Sequence, residues 1–244
     1  MITAIGLDAG TSGKSAISVL QGNDWSKVHC VALEAAQSIA APDLEALLVR
    51  YCEHYNPQIV VMEENGPGAV FAGYIERNQP SIPLATVNTQ LALPEDYELI
   101  LWNDIRINTA ELLNVRAAMC WILRLLFQDR RIELWFDDEE LIAQLGTLRW
   151  DHDNARGDKI FMVSKRKLRF KSSELDTEPF SKSPDKADSL ALASLGYAIL
   201  MQQDLPETLT GEASQEQDII DPVIEGMFAV DDLTTEMEQN EHSS

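Results

Sequence analysis

Four carboxylates stand at the ends of strongly apolar segments, and their placement limits the possible folds more than any other feature of the chain. Asp8 closes the first apolar segment, and Glu63 closes the apolar run Ile59–Glu63. Asp185 and Asp188 are three residues apart at the start of an apolar helical segment, so both lie on one face of that helix. Acids grouped together repel one another unless divalent cations compensate their charge. The sequence therefore predicts a fold in which two strand ends and a helix start meet at a cation site.

The first part of the chain combines hairpin strands with strands joined by helices. Gly10, Gly13 and Gly22 mark turns between the first strands, and a later apolar strand lies between two helical patterns. That order predicts parallel pairing through helical crossovers, and hence an α/β fold with a mixed central sheet flanked by helices. The predicted elements are strands at Ile2–Asp8, Ser15–Leu20 and Val28–Leu33, a helix at Leu44–Tyr55, a strand at Ile59–Glu63, a helix at 69–78 and a strand at Pro83–Asn88.

The rest of the α/β region continues with alternating helix and strand patterns. The elements predicted there are a short strand at Glu98–Trp102, a helix at Thr109–Gln128, a strand at Ile132–Phe136, a helix at Asp138–Leu148 capped by Asp137, a hairpin over Lys159–Phe170 and a last core helix from Pro184 to about Gln202.

Negative charge is concentrated towards the C-terminal end of the sequence. The net charge is −21, and residues 203–244 contain 12 acids and no Lys or Arg. Residues 1–202 retain 28 acids against 19 bases, a net charge of −9. We therefore predict one domain over residues 1–202 and an acidic, flexible tail over residues 203–244. The overall charge argues against tight binding of nucleic acid unless a local basic patch provides it.

A basic patch of this kind lies immediately before the last core helix. Between Lys159 and Lys186 there are eight bases against four acids. A solvated face is one interpretation of such a run, but on a hairpin beside the acids it would follow a DNA backbone through phosphate contacts. The residues expected to bind DNA are Lys165, Arg166, Lys167, Arg169 and Lys171.

Cysteine usage and hydropathy indicate a soluble protein of the cytoplasm. Cys30, Cys52 and Cys120 lie in apolar contexts, and the sequence has no Cys-x-x-Cys or His-rich spacing typical of zinc sites. They are expected to be free thiols in a reducing compartment. No apolar run approaches the roughly 20 residues needed to cross a bilayer.

The glycine-rich segment after the first strand has more than one functional interpretation. It is not a P-loop, because that pattern needs a Gly five residues before Gly13, where Asp8 stands. Asp8-Ala-Gly-Thr fits the phosphate-binding opening of actin-like and sugar-kinase folds. It fits equally well the metal-holding first strand of a nuclease, where glycines let a phosphate backbone come close.

Strand geometry and burial distinguish between the candidate acids. Successive strand residues face opposite sides of a sheet, so only one of Glu63 and Glu64 can join Asp8, and Glu63 is preferred. Asp188 lies among residues that pack its helix inward, where a carboxylate costs several kcal/mol unless something binds it. Asp185 is also explained by ordinary helix capping.

Taken in order, the motifs resemble the nuclease domain of bacteriophage large terminase subunits. That domain has an RNase H-like fold, which is shared with RuvC-like resolvases. The resemblance spans roughly residues 1–202. The motifs that support it are Asp8 after the first strand, Glu63-x-Asn65-Gly66-x-Gly68, Asn114-x-Arg116-Ala, Ser164-Lys165 and Ser183-Pro-Asp185-x-Ala-Asp188-Ser-Leu-Ala-Leu-Ala.

The resemblance implies a metal-dependent endonuclease that cuts concatemeric double-stranded viral DNA during genome packaging, in the cytoplasm of a bacterial host. It implies two ions of Mg²⁺ or Mn²⁺ held by Asp8, Glu63, Asp185 and Asp188, with Asp8 bridging both. The implied partners are double-stranded DNA and a packaging ATPase domain or subunit, and beyond these the portal and the small terminase.

The same sequence features are compatible with three other functions. A RuvC-like junction resolvase would have the same fold but prefer branched DNA. A small actin-like kinase would need a second strand and turn with Asp and paired glycines, which the sequence does not contain. A packaging-motor docking module would retain the acids without catalysis.

Overall fold

The centre of the molecule is a mixed sheet. The computed structural model describes residues 1–10, 14–37, 40–93, 98–153, 157–163 and 184–203. Its strands are β1 (Ile2–Asp8), β2 (Lys14–Gly22), β3 (Val28–Gln37), β4 (Ile59–Glu63), β5 (Leu84–Val87), β6 (Glu98–Ile100), β7 (Arg106–Asn108), β8 (Ile132–Leu134), β9 (Trp150–Asp153) and β10 (Lys159–Met162). The central sheet has the order β5-β4-β1-β2-β3-β8. Strand β2 pairs antiparallel with both β1 and β3. Strand β4 is parallel to β1, β5 is parallel to β4, and β8 is parallel to β3, which confirms the predicted mixed sheet.

Helices cover both faces of this sheet. They are α1 (Ala41–Tyr55), α2 (Pro67–Asn78), α3 (Val115–Gln128), α4 (Glu139–Thr147) and α5 (Asp185–Gln203). Among these described helices, none is long and apolar enough to span a bilayer.

Alternation along β1 and β4 separates two apolar cores. Leu7 and Met62 pack in one core with residues of α1 and α2. Ala4 and Val61 pack in the other core with residues of α3 and α5. Because strand side chains alternate, every second residue of β1 and β4 faces α3 and α5.

Helix α5 lies against β1 at a glycine. A Cβ atom on Gly6 would stand 2.0 Å from the Ser189 carbonyl oxygen and 2.3 Å from the Ala193 nitrogen, so only glycine allows this approach. Further along, Gly196 lies beside Ala4, because a Cβ atom added to Gly196 would stand 3.5 Å from the Ala4 Cβ. The helix residue number falls as the strand residue number rises. Helix α5 therefore runs antiparallel to β1, with its first turn towards the C-terminal end of the strand.

The start of α3 differs from the sequence prediction. Helix α3 begins at Val115 and not at Thr109, because Thr109–Glu111 forms a separate 3₁₀ turn. The Asn114 side chain caps α3 by accepting a hydrogen bond from the Ala117 N–H at 3.0 Å. A capping side chain, rather than apolar spacing, determines where this helix begins.

The cap of α4 is also one residue later than predicted. Asp138 and not Asp137 caps the helix, and its Oδ1 accepts a hydrogen bond from the Leu141 N–H at 2.9 Å. The prediction of the cap was wrong, although the helix itself lies within the predicted range.

The hairpin before α5 pairs other residues than those predicted. Strands β9 and β10 are antiparallel, with Lys159 opposite Asp153 and Met162 opposite Trp150. The first strand of the observed hairpin, β9, therefore lies before the predicted range, and only β10 falls within it. Residues 164–170 of the predicted hairpin lie outside the described residues, as does the predicted tail beyond Gln203. The domain boundary stays a prediction.

Candidate functional site

Asp8 and Glu63 end neighbouring parallel strands at the same edge of the sheet. Strands β1 and β4 pair in parallel up to Leu7 and Met62, and the next residue of each strand is the acid. Alternation directs both acids towards the layer formed by α3 and α5. Asp8 is only 9% exposed.

The first turn of α5 carries the other two predicted acids. Because α5 runs antiparallel to β1, this turn lies at the end of the strand that carries Asp8. Asp185 and Asp188 are 6% and 2% exposed. A buried carboxylate costs several kcal/mol unless a positive charge or hydrogen bonds compensate it. These acids therefore require hydrogen-bond donors or a positive charge close to them.

A basic side chain, Arg116 on the first turn of α3, meets these acids. Its Nη2 donates to Asp188 Oδ1 at 2.8 Å. Burial by itself lowers the pKa of the Arg116 guanidinium, but charges that include Asp188, Glu63 and Asp8 outweigh burial and raise that pKa. Asp188 is thus paired with Arg116 at the end of the sheet where β1 and β4 place Asp8 and Glu63.

Thr89 orients Glu63 and connects it to α3. The Thr89 hydroxyl donates to Glu63 Oε1 at 2.5 Å, and the Asn65 side-chain amide donates to the same oxygen at 3.4 Å. The Thr89 carbonyl accepts a hydrogen bond from the Arg116 N–H at 3.0 Å. Thr89 is not among the site residues predicted from the sequence. Its position just after β5, the parallel neighbour of β4, is the signal that would have identified it.

A Thr89→Val substitution should weaken the site while leaving the fold in place. Valine keeps the branched shape but cannot donate to Glu63, so Glu63 loses a hydrogen bond that fixes its orientation. Loss of such an orienting partner typically costs about 10- to 100-fold in metal affinity or activity. Calorimetric titration with Mn²⁺ would measure the change in affinity.

Thr3→Val is the matched control for this substitution. Thr3 is also buried, and its hydroxyl accepts a hydrogen bond from Gln21 at 3.1 Å, but it lies at the opposite end of β1. Both variants should lose about 1 kcal/mol of stability. Equal Mn²⁺ affinities in the two variants would show that Thr89 has no special role at the site.

Helix α4 fixes the first turn of α5. Lys186 Nζ lies 2.5 Å from Asp138 Oδ2 and 3.1 Å from Glu140 Oε2. Burial lowers the pKa of the Lys186 ammonium, but these two carboxylates outweigh it and raise that pKa. The Gln144 side-chain oxygen accepts a hydrogen bond from the Ala187 N–H at 3.1 Å. These contacts hold the turn that carries Asp185 and Asp188 at a defined distance from the sheet.

The structure brings some predicted site residues together and does not describe others. Asp8, Glu63 and Asp188 act on Arg116, and Asp185 lies one turn before Asp188 on α5. In the described ranges, no group of three or more His, Cys, Asp or Glu side chains is arranged so that it could hold a metal ion. The predicted DNA-binding residues Lys165, Arg166, Lys167, Arg169 and Lys171 lie outside the described residues.

The chemical type of the predicted ligands, rather than their spacing in the structure, suits a divalent cation that prefers oxygen. All four predicted ligands are carboxylates, which are the protein ligands favoured by Mg²⁺, Mn²⁺ and Ca²⁺. Asp8, Glu63 and Asp188 face the single charge of Arg116, so negative charge remains in excess among these four groups. A divalent cation would compensate that excess.

Solved structures with the same architecture are nuclease domains of phage large terminases. The nuclease domain of the large terminase subunit gp2 of bacterial virus Sf6 matches with a TM-score of 0.61 and 14% identity, over 80% of this chain and 88% of that chain. A variant of the Sf6 domain solved with manganese matches with a TM-score of 0.60 and 12% identity, with the same coverage.

A second phage gives the same result. The large terminase nuclease of the thermophilic phage G20c, solved with bound cobalt, matches with a TM-score of 0.52 and 18% identity, over 80% of each chain. No protein-family model and no curated protein matches the chain. The chain therefore has the mixed α/β, RNase H-like fold of large terminase nuclease domains, as its motifs predict.

Proposed function

We propose that this protein is a metal-dependent endonuclease that hydrolyses phosphodiester bonds of double-stranded DNA. The observation that carries the proposal is the placement of Asp8 and Glu63 at the ends of the paired strands β1 and β4, at the end of the sheet where the first turn of α5 holds Asp188 in an ion pair with Arg116. The fold supports it as well, because the similar terminase nucleases of G20c and Sf6 were solved with cobalt and with manganese.

Each acid has a part in the proposed reaction. Asp8 would bind cations from the end of β1, Glu63 from the end of β4, and Asp185 and Asp188 from the first turn of α5. Mg²⁺ or Mn²⁺ bound there would activate a water molecule and stabilise charge on the phosphodiester oxygens. If two ions bind, Asp8 would contribute to holding both of them. Thr89 keeps the carboxylate of Glu63 oriented through its hydrogen bond.

The proposed substrate is concatemeric viral DNA, cut during genome packaging in the cytoplasm of a bacterial host. The basic side chains of Lys165, Arg166, Lys167, Arg169 and Lys171 would bind the phosphates of the duplex without reading its sequence. A packaging ATPase, as a domain or as a separate subunit, would be the principal protein partner. The portal and the small terminase would be further partners.

Removal of divalent cations should abolish cutting. Purified protein is incubated with supercoiled and linear plasmid DNA in Mn²⁺, in Mg²⁺ or in EDTA, and the products are separated on agarose. Nicked and shortened DNA should form only with a divalent cation, because only a bound cation provides the activated water. The activity should coincide with the protein peak in size-exclusion chromatography.

Cutting that continues unchanged in EDTA would contradict the proposal, and so would the absence of cutting on every DNA tested. The same assay includes a four-way junction as substrate. Faster cutting of the junction than of linear duplex would indicate a junction resolvase with the same fold.

A further inference from the structure

The first turn of α3 fixes the backbone of Arg116, whose guanidinium lies beside the acid cluster formed by Asp8, Glu63 and Asp188. Asn114 caps α3, and the Arg116 N–H donates to the Thr89 carbonyl, so the backbone of Arg116 is fixed on both sides. The Arg116 and Asp188 side chains are 14% and 3% exposed, and they form an ion pair at 2.8 Å. A buried ion pair of this kind is strongly destabilised when one partner is removed, because the other charge is left buried and uncompensated.

Arg116 also compensates charge beyond Asp188. Asp8 and Glu63 lie at the ends of the paired strands β1 and β4, and their charges stabilise the charged form of its guanidinium. An arginine stays protonated at every pH at which a protein is folded, so this positive charge is permanent. In the absence of a metal ion, it reduces the repulsion that three neighbouring carboxylates would otherwise experience.

We propose that Arg116 is the positioning residue for Asp188 and an internal counter-ion with which a divalent cation must compete. The inference rests on the proposed function, since it assumes that the acid cluster binds a cation. Its consequence is that Arg116 stabilises the cation-free site and at the same time weakens the binding of cations. Affinity for the cation is thus set by a residue that is not itself a ligand.

The test compares Mn²⁺ binding and cation-free stability in variants of the full chain. Arg116→Met removes the charge but keeps a long apolar stem, and Arg116→Lys keeps the charge. In calorimetry, Arg116→Met should bind Mn²⁺ at least about tenfold more tightly than wild type, because a positive charge near the cation has been removed. In EDTA, the same variant should unfold about 10 °C lower. Arg116→Lys should stay close to wild type in both measurements.

Arg124→Met is the matched control. Arg124 lies two turns later on α3, is exposed, and stacks on the Trp121 ring at 4.7 Å. The same chemical change there should leave Mn²⁺ affinity unchanged. Equal or weaker Mn²⁺ binding by Arg116→Met, relative to wild type, would overturn the competition that we infer.

A double-mutant cycle tests the counter-ion role even if Arg116→Met does not fold. Arg116→Gln, Asp188→Asn and the double variant are compared by thermal unfolding in EDTA. The double variant should be more stable than Arg116→Gln alone, because no uncompensated charge is left buried. Additive losses would overturn the counter-ion role. A wild-type protein that binds no Mn²⁺ and cuts no DNA would instead contradict the proposed function, and the cation competition with it.

Discussion

An Asp8→Asn variant should cut DNA at least about 10³-fold more slowly than wild type in saturating Mn²⁺, while it keeps its fold. The amide has the size of the carboxylate but lacks the negative charge that the proposed two-ion site needs at its common ligand. Asp188 and Glu63 still compensate Arg116, so the thermal unfolding temperature should not fall. Single-turnover rates on linear plasmid DNA measure the loss.

Asp43→Asn is the control for this experiment. Asp43 is an exposed acid in the first turn of α1, a helix that packs on the opposite face of the sheet. The substitution makes the same change in charge far from the site, and cutting should continue at the wild-type rate. If Asp8→Asn also cut at the wild-type rate, the proposed role of Asp8 as a cation ligand would be wrong.

The positions of Asp8 and Glu63 could be predicted because they depend on local features of the sequence. Each acid directly follows an apolar run long enough for a strand, and parallel strands place their carboxyl ends at one edge of a sheet. The observed register of β1 and β4, with Leu7 beside Met62, has this consequence. The mixed sheet was predictable from the order of strands and helices, whereas the RNase H-like fold was predicted from the resemblance of the motifs to terminase nuclease domains. The roles of these acids as ligands stay a prediction.

The contacts that orient the acids could not be predicted from local patterns. Thr89 reaches Glu63 only because β5 pairs with β4, so that the residues after the two strands lie side by side. The Thr89 carbonyl also accepts a hydrogen bond from the Arg116 N–H. Gln144 reaches the Ala187 N–H only because α4 packs across the start of α5. Each contact joins segments that are far apart in the sequence, so it follows from tertiary packing and not from residue spacing.

Helix starts show a different limit of sequence reasoning. Apolar spacing continues through Thr109–Gln128 without a visible break, yet α3 begins at Val115. The signal was present in Asn114, a favoured capping residue whose side chain accepts the Ala117 N–H. This start matters for the site, because it places Arg116 in the first turn of α3, opposite Asp188.

A Gly6→Ala variant should be destabilised by about 3 to 5 kcal/mol, or should fail to accumulate as folded protein. The added methyl group would stand 2.0 Å from the Ser189 carbonyl oxygen and 2.3 Å from the Ala193 nitrogen. Both are backbone atoms of α5, so no side-chain rotation can relieve the overlap. The helix must move away from β1 or the strand must bend. Urea denaturation followed by circular dichroism measures the change in the free energy of unfolding.

Gly73→Ala is the control for this experiment. A methyl group at Gly73 in α2 would meet no atom within 4 Å, and alanine favours helix over glycine. That variant should therefore be more stable than wild type, by roughly 0.5 to 1 kcal/mol.

If Gly6→Ala were as stable as wild type, α5 would have to be free to shift on β1. The distance between Asp8 and Asp188 would then not be fixed by the fold, and a cation would have to organise the acids by itself.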